Sequence, residues 1–265
     1  MEKPISSRLK RSLLKWIGEN WFYQLGYAYL LTQPKYRQNI VRMRAFKDLH
    51  RGQRCFIIGN GPSLRNMDLT PLASEFTFGL NRIYLMFDSL GFSTSYYVVV
   101  NKLIVQQCAT EILAKVPTPK FVSYDARRWI EFAPDLMFLY CREGPRFFKD
   151  ITRGVWQGAT VTFIAMQLAF YMGFQQAILI GVDHSYKEKG KPNELVVSQG
   201  DDPNHFDPGY FGKGFRWQLP DLETSEVAYR MARAKFEGEG REIIDATVGG
   251  KLDIFRKVDY KSLFN

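Results

Sequence analysis

The chain has little of what metal centres and disulfide frameworks are made from. It holds three cysteines, Cys55, Cys108 and Cys141, and three histidines, His50, His184 and His205. An odd number of cysteines argues against a disulfide framework, and neither residue type recurs at metal-ligand spacing. A reducing, cytoplasmic setting is expected and a zinc site is not. Long apolar runs are also missing. Residues 21–31 are apolar and aromatic but fall far short of the ~20 needed to cross a bilayer. The N-terminus lacks the uninterrupted apolar stretch and small-residue cleavage site of a signal peptide. Two phosphate-binding signatures are incomplete, for the third glycine of a dinucleotide fingerprint and the Gly-Lys-Ser/Thr of a triphosphate loop are both absent.

What is present is unevenly distributed. The net charge of +9 resides in residues 1–54, which hold twelve Lys and Arg against three acidic residues; residues 55–265 carry 24 of each sign and are neutral. Ile5, Leu9, Leu13, Trp16 and Ile17 recur at helical spacing among Arg8, Lys10, Arg11 and Lys15. This predicts a basic amphipathic helical segment over residues 1–53, suited to an anionic membrane surface. The alternative is a helix that packs on the main domain or on a partner, its charges merely solvated. No nucleic-acid motif accompanies the basic run, and a nucleic-acid partner is not expected.

Residues 54–265 alternate apolar strand runs with helical patterns, which predicts an α/β, Rossmann-like domain with a mainly parallel sheet and helices on both faces. Strands are expected at Arg54–Ile58, Phe76–Leu80, Tyr96–Val100, Lys120–Ser123, Leu136–Tyr140, Ala177–Gly181 and Glu242–Ile244. Helices are expected at Lys102–Lys115, Ala159–Met172 and, capped by Thr224 or Ser225, up to Glu237. Residues 187–222 break the alternation with a glycine- and aromatic-rich stretch, as a lid over a binding site would.

The most informative segment follows the first strand: Gly59-Asn60-Gly61-Pro62-Ser63-Leu64. Its glycines permit close backbone approach, Pro62 suits a first helical turn, and freed amides there would hold an anion. A tight turn without a ligand is the plain alternative. Further polar residues sit at strand ends, where open parallel sheets bind ligands: Asn81 and Arg82, Asn101 and Lys102, Asp183 and His184. Singly these are ordinary turn or cap residues. Together they outline an amide-rich crevice suited to a base, ribose and phosphate. In the lid, His205 has the intrinsic pKa of a general base, and Tyr210, Lys213 and Arg216 are either phosphate contacts or a solvated loop face.

These blocks resemble the small bacterial sialyltransferases that use CMP-sialic acid. The likeness runs through Gly59-Asn60-Gly61-Pro62-Ser63-Leu64, through Gly158-Ala159-Thr160-Val161 into Leu168–Phe174, through Ile178-Leu179-Ile180-Gly181-Val182-Asp183, and through Asn204-His205-Phe206. The same blocks, with Asp245-Ala246-Thr247-Val248-Gly249-Gly250-Lys251-Leu252, resemble the MptE-like group, named for an archaeal 6-hydroxymethylpterin diphosphokinase. The first resemblance implies a glycosyltransferase with a CMP-activated, sialic-acid-like donor and a glycan or lipid-linked acceptor. It implies nucleotide contacts from Asn60, Gly61, Ser63, Asn81, Asn101 and the turn Gly158, Ala159, Thr160, and no metal cofactor. Where that family has Asp-Phe-Tyr, this chain has Asp183-His184-Ser185, which leaves Tyr186 as the candidate replacement for a phosphate-binding tyrosine. The expected catalytic set is His205 as base, with His184 and Asp183. The second resemblance implies a pyrophosphokinase needing magnesium, for which Asp183, Asp201, Asp202 and Asp207 are available. A non-catalytic nucleotide-binding module is the third reading. The expected setting is the cytoplasm, with peripheral attachment to the inner face of the membrane through residues 1–54.

Overall fold

The computed structural model describes residues 21–264 apart from 22, 188 and 189, so the helix expected within residues 1–20 lies outside the described residues. Residues 23–32 are helical. The chain bends at Gln33, which stands at the start of the next helix, α1 (Pro34–Arg44), with Pro34 in its first turn. Twelve strands follow in chain order: β1 (Arg54–Ile58), β2 (Thr77–Leu80), β3 (Tyr96–Val99), β4 (Lys120–Ser123), β5 (Leu136–Leu139), β6 (Cys141–Arg142), β7 (Val155–Trp156), β8 (Gln176–Ile180), β9 (Leu195–Val197), β10 (Arg216–Gln218), β11 (Glu242–Asp245) and β12 (Arg256–Lys257). Besides the single turn Phe87–Leu90, three further helices are α2 (Lys102–Lys115), α3 (Val161–Tyr171) and α4 (Leu222–Glu237).

Eight strands form one parallel sheet in the order β12-β11-β8-β1-β2-β3-β4-β5. The chain runs outward from β1 to β5, then returns to the other side of β1 to lay down β8, β11 and β12. The direction of winding therefore reverses between β1 and β8, where open α/β sheets bind their ligands. Alternation along each strand feeds two cores. Cys55, Ile57, Ala177 and Leu179 face a layer that includes α1, α3 and α4; Phe56, Ile58, Ile178 and Ile180 face α2 and the aromatic side chains Phe206, Tyr210 and Phe211.

Helix α3 is buried on every face, from Thr162 through Tyr171. Its one amide, Gln167, is fully buried and satisfied: it donates to the Trp156 carbonyl at 2.9 Å and accepts from Phe148 N at 3.1 Å. Helix α4 is capped by Asp221, which accepts from Thr224 N at 3.0 Å, so Thr224 lies inside the helix and the cap expected there moves three residues upstream. The outer edge of β5 is closed by a side chain. Asn39 of α1 donates to the Phe138 carbonyl and accepts from Phe138 N, each at 2.8 Å, so one amide stands in for a neighbouring strand.

Residues 187–222 are not structureless. Strands β9 and β10 pair antiparallel, and the loop between them is anchored on the main sheet. Phe206 N donates to the Asn60 carbonyl at 2.9 Å, and Arg65 donates to the carbonyls of Phe206 (2.6 Å) and His205 (2.8 Å). Gln107 of α2 holds both the amide and the carbonyl of Arg216. Aromatic burial supplies the core that a free lid would lack.

Candidate functional site

A cavity opens at the carboxyl ends of β1, β2, β3 and β8. Gly59, Asn60 and Gly61 form one wall, Asn81 and Asn101 a second, and residues 181–186 a third. The first turn of α3 (Ala159, Thr160, Val161, Thr162) and the β9–β10 region, with His205, Phe211, Arg216 and Trp217, complete it.

The Gly59–Ser63 loop is not an open anion cradle. Gly59 N donates to the Ile180 carbonyl at 2.8 Å and Gly61 N to the Gly181 carbonyl at 2.9 Å. Beyond them an internal anion fills the turn: the Asp183 carboxylate accepts from Ser63 N at 3.1 Å and from Ser63 Oγ at 2.7 Å. The turn Pro62–Asn66 is 3₁₀ and five residues long, too short for a substantial dipole. The glycines answer to this packing. A Cβ on Gly59 would stand 2.2 Å from the Gly181 carbonyl oxygen, and one on Gly61 would stand 1.7 Å from Asp183 Oδ2. The expectation of free amides for phosphate is corrected accordingly at Gly59, Gly61 and Ser63, whose N–H groups are engaged within the protein, while Pro62 has none to offer; Asp183, which also lines the cavity, holds the loop. Burial pushes the Asp183 carboxyl above its ordinary value, while the Ser63 hydrogen bonds oppose that rise.

The asparagines divide. Asn101 spends its side-chain oxygen on capping α2, accepting from Leu103 N and Ile104 N at 2.9 and 3.3 Å. Asn60 and Asn81 do not: the Oδ1 atoms of both are buried and have no hydrogen-bond partner. Asn81 is held left-handed (φ 49°), its amide on the Val98 carbonyl at 3.0 Å and its carbonyl accepting from Tyr97 OH. A buried oxygen without a donor is costly unless a ligand supplies one.

Arg82 and Tyr210 were expected at the ligand and instead join each other. Arg82 N donates to Tyr210 OH at 3.2 Å and its guanidinium donates to the Tyr210 carbonyl and to Glu111 (3.1 Å). Tyr210 is fully buried, and burial pushes its hydroxyl far up. Neither lines the cavity; the pair fastens the β9–β10 loop to the end of β2.

His205 does line it. Its ring lies flat on Tyr210, centroids 3.9 Å apart, and Nδ1 is 2.7 Å from Oδ2 of the buried Asp202. Asp202 Oδ1 accepts from Asn204 N at 2.9 Å. The Asp202 oxygen can accept from this ring only in the tautomer that carries its proton on Nδ1, and in that tautomer Nε2 is the atom left to accept a proton. Asp202 is the residue that sequence reasoning missed in this role, having entered only as a possible magnesium ligand. The signal was its i, i+3 spacing from His205 within a turn-rich stretch. His184 sits across the cavity, left-handed (φ 53°), with Nε2 3.2 Å from Glu226 of α4. Tyr186 also lines the cavity. Gly158 lies behind the wall that Ala159 and Thr160 form: both Gly158 and Ala159 are left-handed, and a Cβ on Gly158 would stand 2.5 Å from that of Ala228. Left-handed geometry at Ala159 and His184 is strain held by the surrounding structure, of the kind that gathers at functional sites.

Among the described residues, no group of three or more His, Cys, Asp or Glu is placed to hold a metal ion. Asp183 is engaged with Ser63, Asp202 with His205 and Asn204, and Asp207 with Gly209 N at 2.7 Å. No helix among them is long and apolar enough to cross a membrane.

A parallel, doubly wound α/β domain with a crevice at its winding reversal defines the class as Rossmann-like. No family model and no curated protein matches the sequence. Among solved structures, the chain is similar to the MAf glycosyltransferase from Magnetospirillum magneticum AMB-1, with a TM-score of 0.53 and 14% sequence identity over 86% of this chain and 39% of that one. The chain thus spans about two fifths of that neighbour's length, and at this identity the likeness is one of fold.

Proposed function

We propose that the chain is a glycosyltransferase whose crevice takes a nucleotide-activated sugar, with a CMP-activated acidic sugar as the donor of first choice. One observation carries the reading: the Asp202-held imidazole of His205 lines the same cavity as Asn60 and Asn81, whose buried side-chain oxygens have no hydrogen-bond partner. In this reading the two carboxamides accept from ribose hydroxyls or a base amine. Phe211 and Trp217, ring centroids 5.2 Å apart, offer a stacking surface. The anionic part of the donor belongs near the first turn of α3 and near Arg216, which carries no ion pair among the described residues while the other charged groups lining the cavity are engaged. The fold shared with the MAf glycosyltransferase supports the same class.

In the reaction, His205 Nε2 removes the proton of an acceptor hydroxyl as its oxygen bonds to the anomeric carbon. The bond from that carbon to the phosphate oxygen breaks, and its electron pair leaves with the nucleotide. Asp202 stabilises the imidazolium that results. A monophosphate leaving group from an acidic sugar needs little added Lewis acid, so activity is expected to persist in a chelator. The test is titration calorimetry with cytidine, uridine and adenosine nucleotides, followed by turnover of the corresponding nucleotide sugars. Binding of a cytidine nucleotide with slow donor hydrolysis supports the reading; magnesium-dependent consumption of ATP with a hydroxymethyl substrate would replace it with pyrophosphoryl transfer.

A further inference from the structure

The exposed side chains of the N-terminal helices are apolar in residues 21–31 and include Lys35, Arg37 and Arg44 in the helix that follows. Of the twelve large hydrophobic side chains exposed among the described residues, six lie between residues 21 and 49: Trp21, Leu25, Tyr29, Leu31, Val41 and Leu49. Trp21, Leu25 and Tyr29 are spaced i, i+4, i+8 and are 65%, 52% and 66% exposed, so they share one helical face. That face is not a helix lacking a home. Its opposite side is docked: the Tyr23 and Tyr27 rings stand 6.3 and 6.0 Å from Tyr140, Tyr27 OH donates to the Thr152 carbonyl at 2.9 Å, and Leu30 is buried.

Along the segment that carries this stripe the charge is of one sign, the nearest carboxylates, Glu143 beside Tyr23 and Asp150 beside Tyr27, lying on the docked side. No acidic residue occurs from Asn20 to Lys47, while Lys35, Arg37 and Arg44 are exposed and Lys47 follows. The preceding 19 residues add five cations against two carboxylates. A second copy of the chain is a poor occupant, because a two-fold contact through this face would set the same cations against each other. An anionic bilayer meets both requirements: Trp and Tyr settle at headgroup depth, Leu reaches the acyl boundary, and each surface cation gains from anionic lipid.

We propose that Trp21, Leu25 and Tyr29, with Lys35, Arg37 and Arg44, form a peripheral docking surface for an anionic lipid bilayer. This surface does not depend on the reaction assigned to the crevice. The test is co-sedimentation of the full chain with phosphatidylcholine vesicles, with and without phosphatidylglycerol. Binding is expected only where the anionic lipid is present, and to weaken as salt rises. The combined variant Trp21→Ser, Leu25→Ser, Tyr29→Ser should lose it. Lys35→Gln, Arg37→Gln, Arg44→Gln should weaken it by about a hundredfold. All six side chains are on the surface, and melting curves like that of the parent chain confirm that each variant is folded. Failure of the full chain to bind either vesicle, or undiminished binding by both variants, overturns the proposal. So does a fall in oligomeric state by light scattering for the serine variant without any vesicle binding by the parent, which would assign the face to a second copy.

Discussion

Asp202 Oδ2 stands 2.7 Å from His205 Nδ1, and the carboxylate that fixes this ring is itself buried and held by Asn204 N. The pair separates orientation from chemistry. His205→Ala removes the base and should lower glycosyl transfer by about 10²–10⁴-fold while leaving nucleotide binding in place. Asp202→Asn keeps the shape but turns the partner of Nδ1 into a donor as readily as an acceptor, which favours the tautomer with its proton on Nε2. Its loss should appear in kcat more than in KM and should be partly relieved by Asp202→Glu. Steady-state kinetics on the three variants checks this; unchanged turnover in His205→Ala rejects the base.

The Gly61–Asp183 contact makes a stability prediction. A methyl group at position 61 would stand 1.7 Å from Asp183 Oδ2, so the loop must shift or the carboxylate must leave Ser63. Gly61→Ala should cost about 1–3 kcal/mol, the usual range for overpacking. Asp183→Ala should cost stability by itself, through the Ser63 donors it strands. The double variant should be less destabilised than the sum of the two, because the clash disappears with the carboxylate. Thermal melts of the three proteins measure the coupling.

Asp183 also predicts a pH dependence. Its carboxyl is raised in the folded chain above the ordinary 3.8, chiefly by burial. In the window above 3.8 the folded state therefore holds a proton that the unfolded state has released. The contribution of the group is most favourable below that window and is lost as pH rises through the folded value. Asp183→Asn can still accept from Ser63 N and donate to Ser63 Oγ, and it does not titrate. The melting temperature of the parent chain relative to Asp183→Asn should fall as pH rises from 3.8. A relative rise over that interval would mean the Ser63 hydrogen bonds outweigh burial.

Where the sequence was legible, one chemical requirement governed each element. The runs Arg54–Ile58 and Lys120–Ser123 and the helix Lys102–Lys115 were bounded at the residues found, because buried strands and an asparagine-capped helix leave clear edges. The crevice was legible for the same reason, since polar residues at strand ends converge in any parallel sheet. What the pattern could not show was which polar groups already had partners. Asp183 enters the Gly59–Ser63 turn from 120 residues away, and Arg82 and Tyr210 meet across 128. Local spacing carries no trace of such pairings. The segment 187–222 read as loop because its two strands are three residues each, and its order comes from aromatic burial on the main sheet.

Arg216 is pinned by its backbone and free at its head. Gln107 bonds its amide at 2.9 Å and its carbonyl at 2.8 Å, while the guanidinium has no carboxylate partner among the described residues. With the proposed anionic donor, Arg216→Gln should raise KM by roughly tenfold to a hundredfold, the worth of one or two charge-assisted hydrogen bonds. kcat should change little, and so should the melting temperature. Arg216→Lys should recover part of the loss, since it keeps the charge without the planar fork. Equal KM values for Arg216→Gln and the parent would remove this residue from the donor site.

Asn39 supplies the last expectation, which concerns the sheet edge rather than the crevice. Its amide satisfies both the N–H and the carbonyl of Phe138 at the outer edge of β5, and it is fully buried there. Asn39→Leu has similar volume but strands both backbone groups in an apolar layer. The cost should be about 1–3 kcal/mol for each group left unpaired. Asn39→Asp keeps one acceptor for Phe138 N but places a carboxylate beside the Phe138 carbonyl, and it should be worse at neutral than at acidic pH. Hydrogen exchange offers the discriminating readout. In the parent chain the Phe138 amide should exchange only with global opening, whereas in Asn39→Leu it should exchange through local fraying of β5. Slow exchange at Phe138 in that variant would show that the edge is protected by something other than this single side chain.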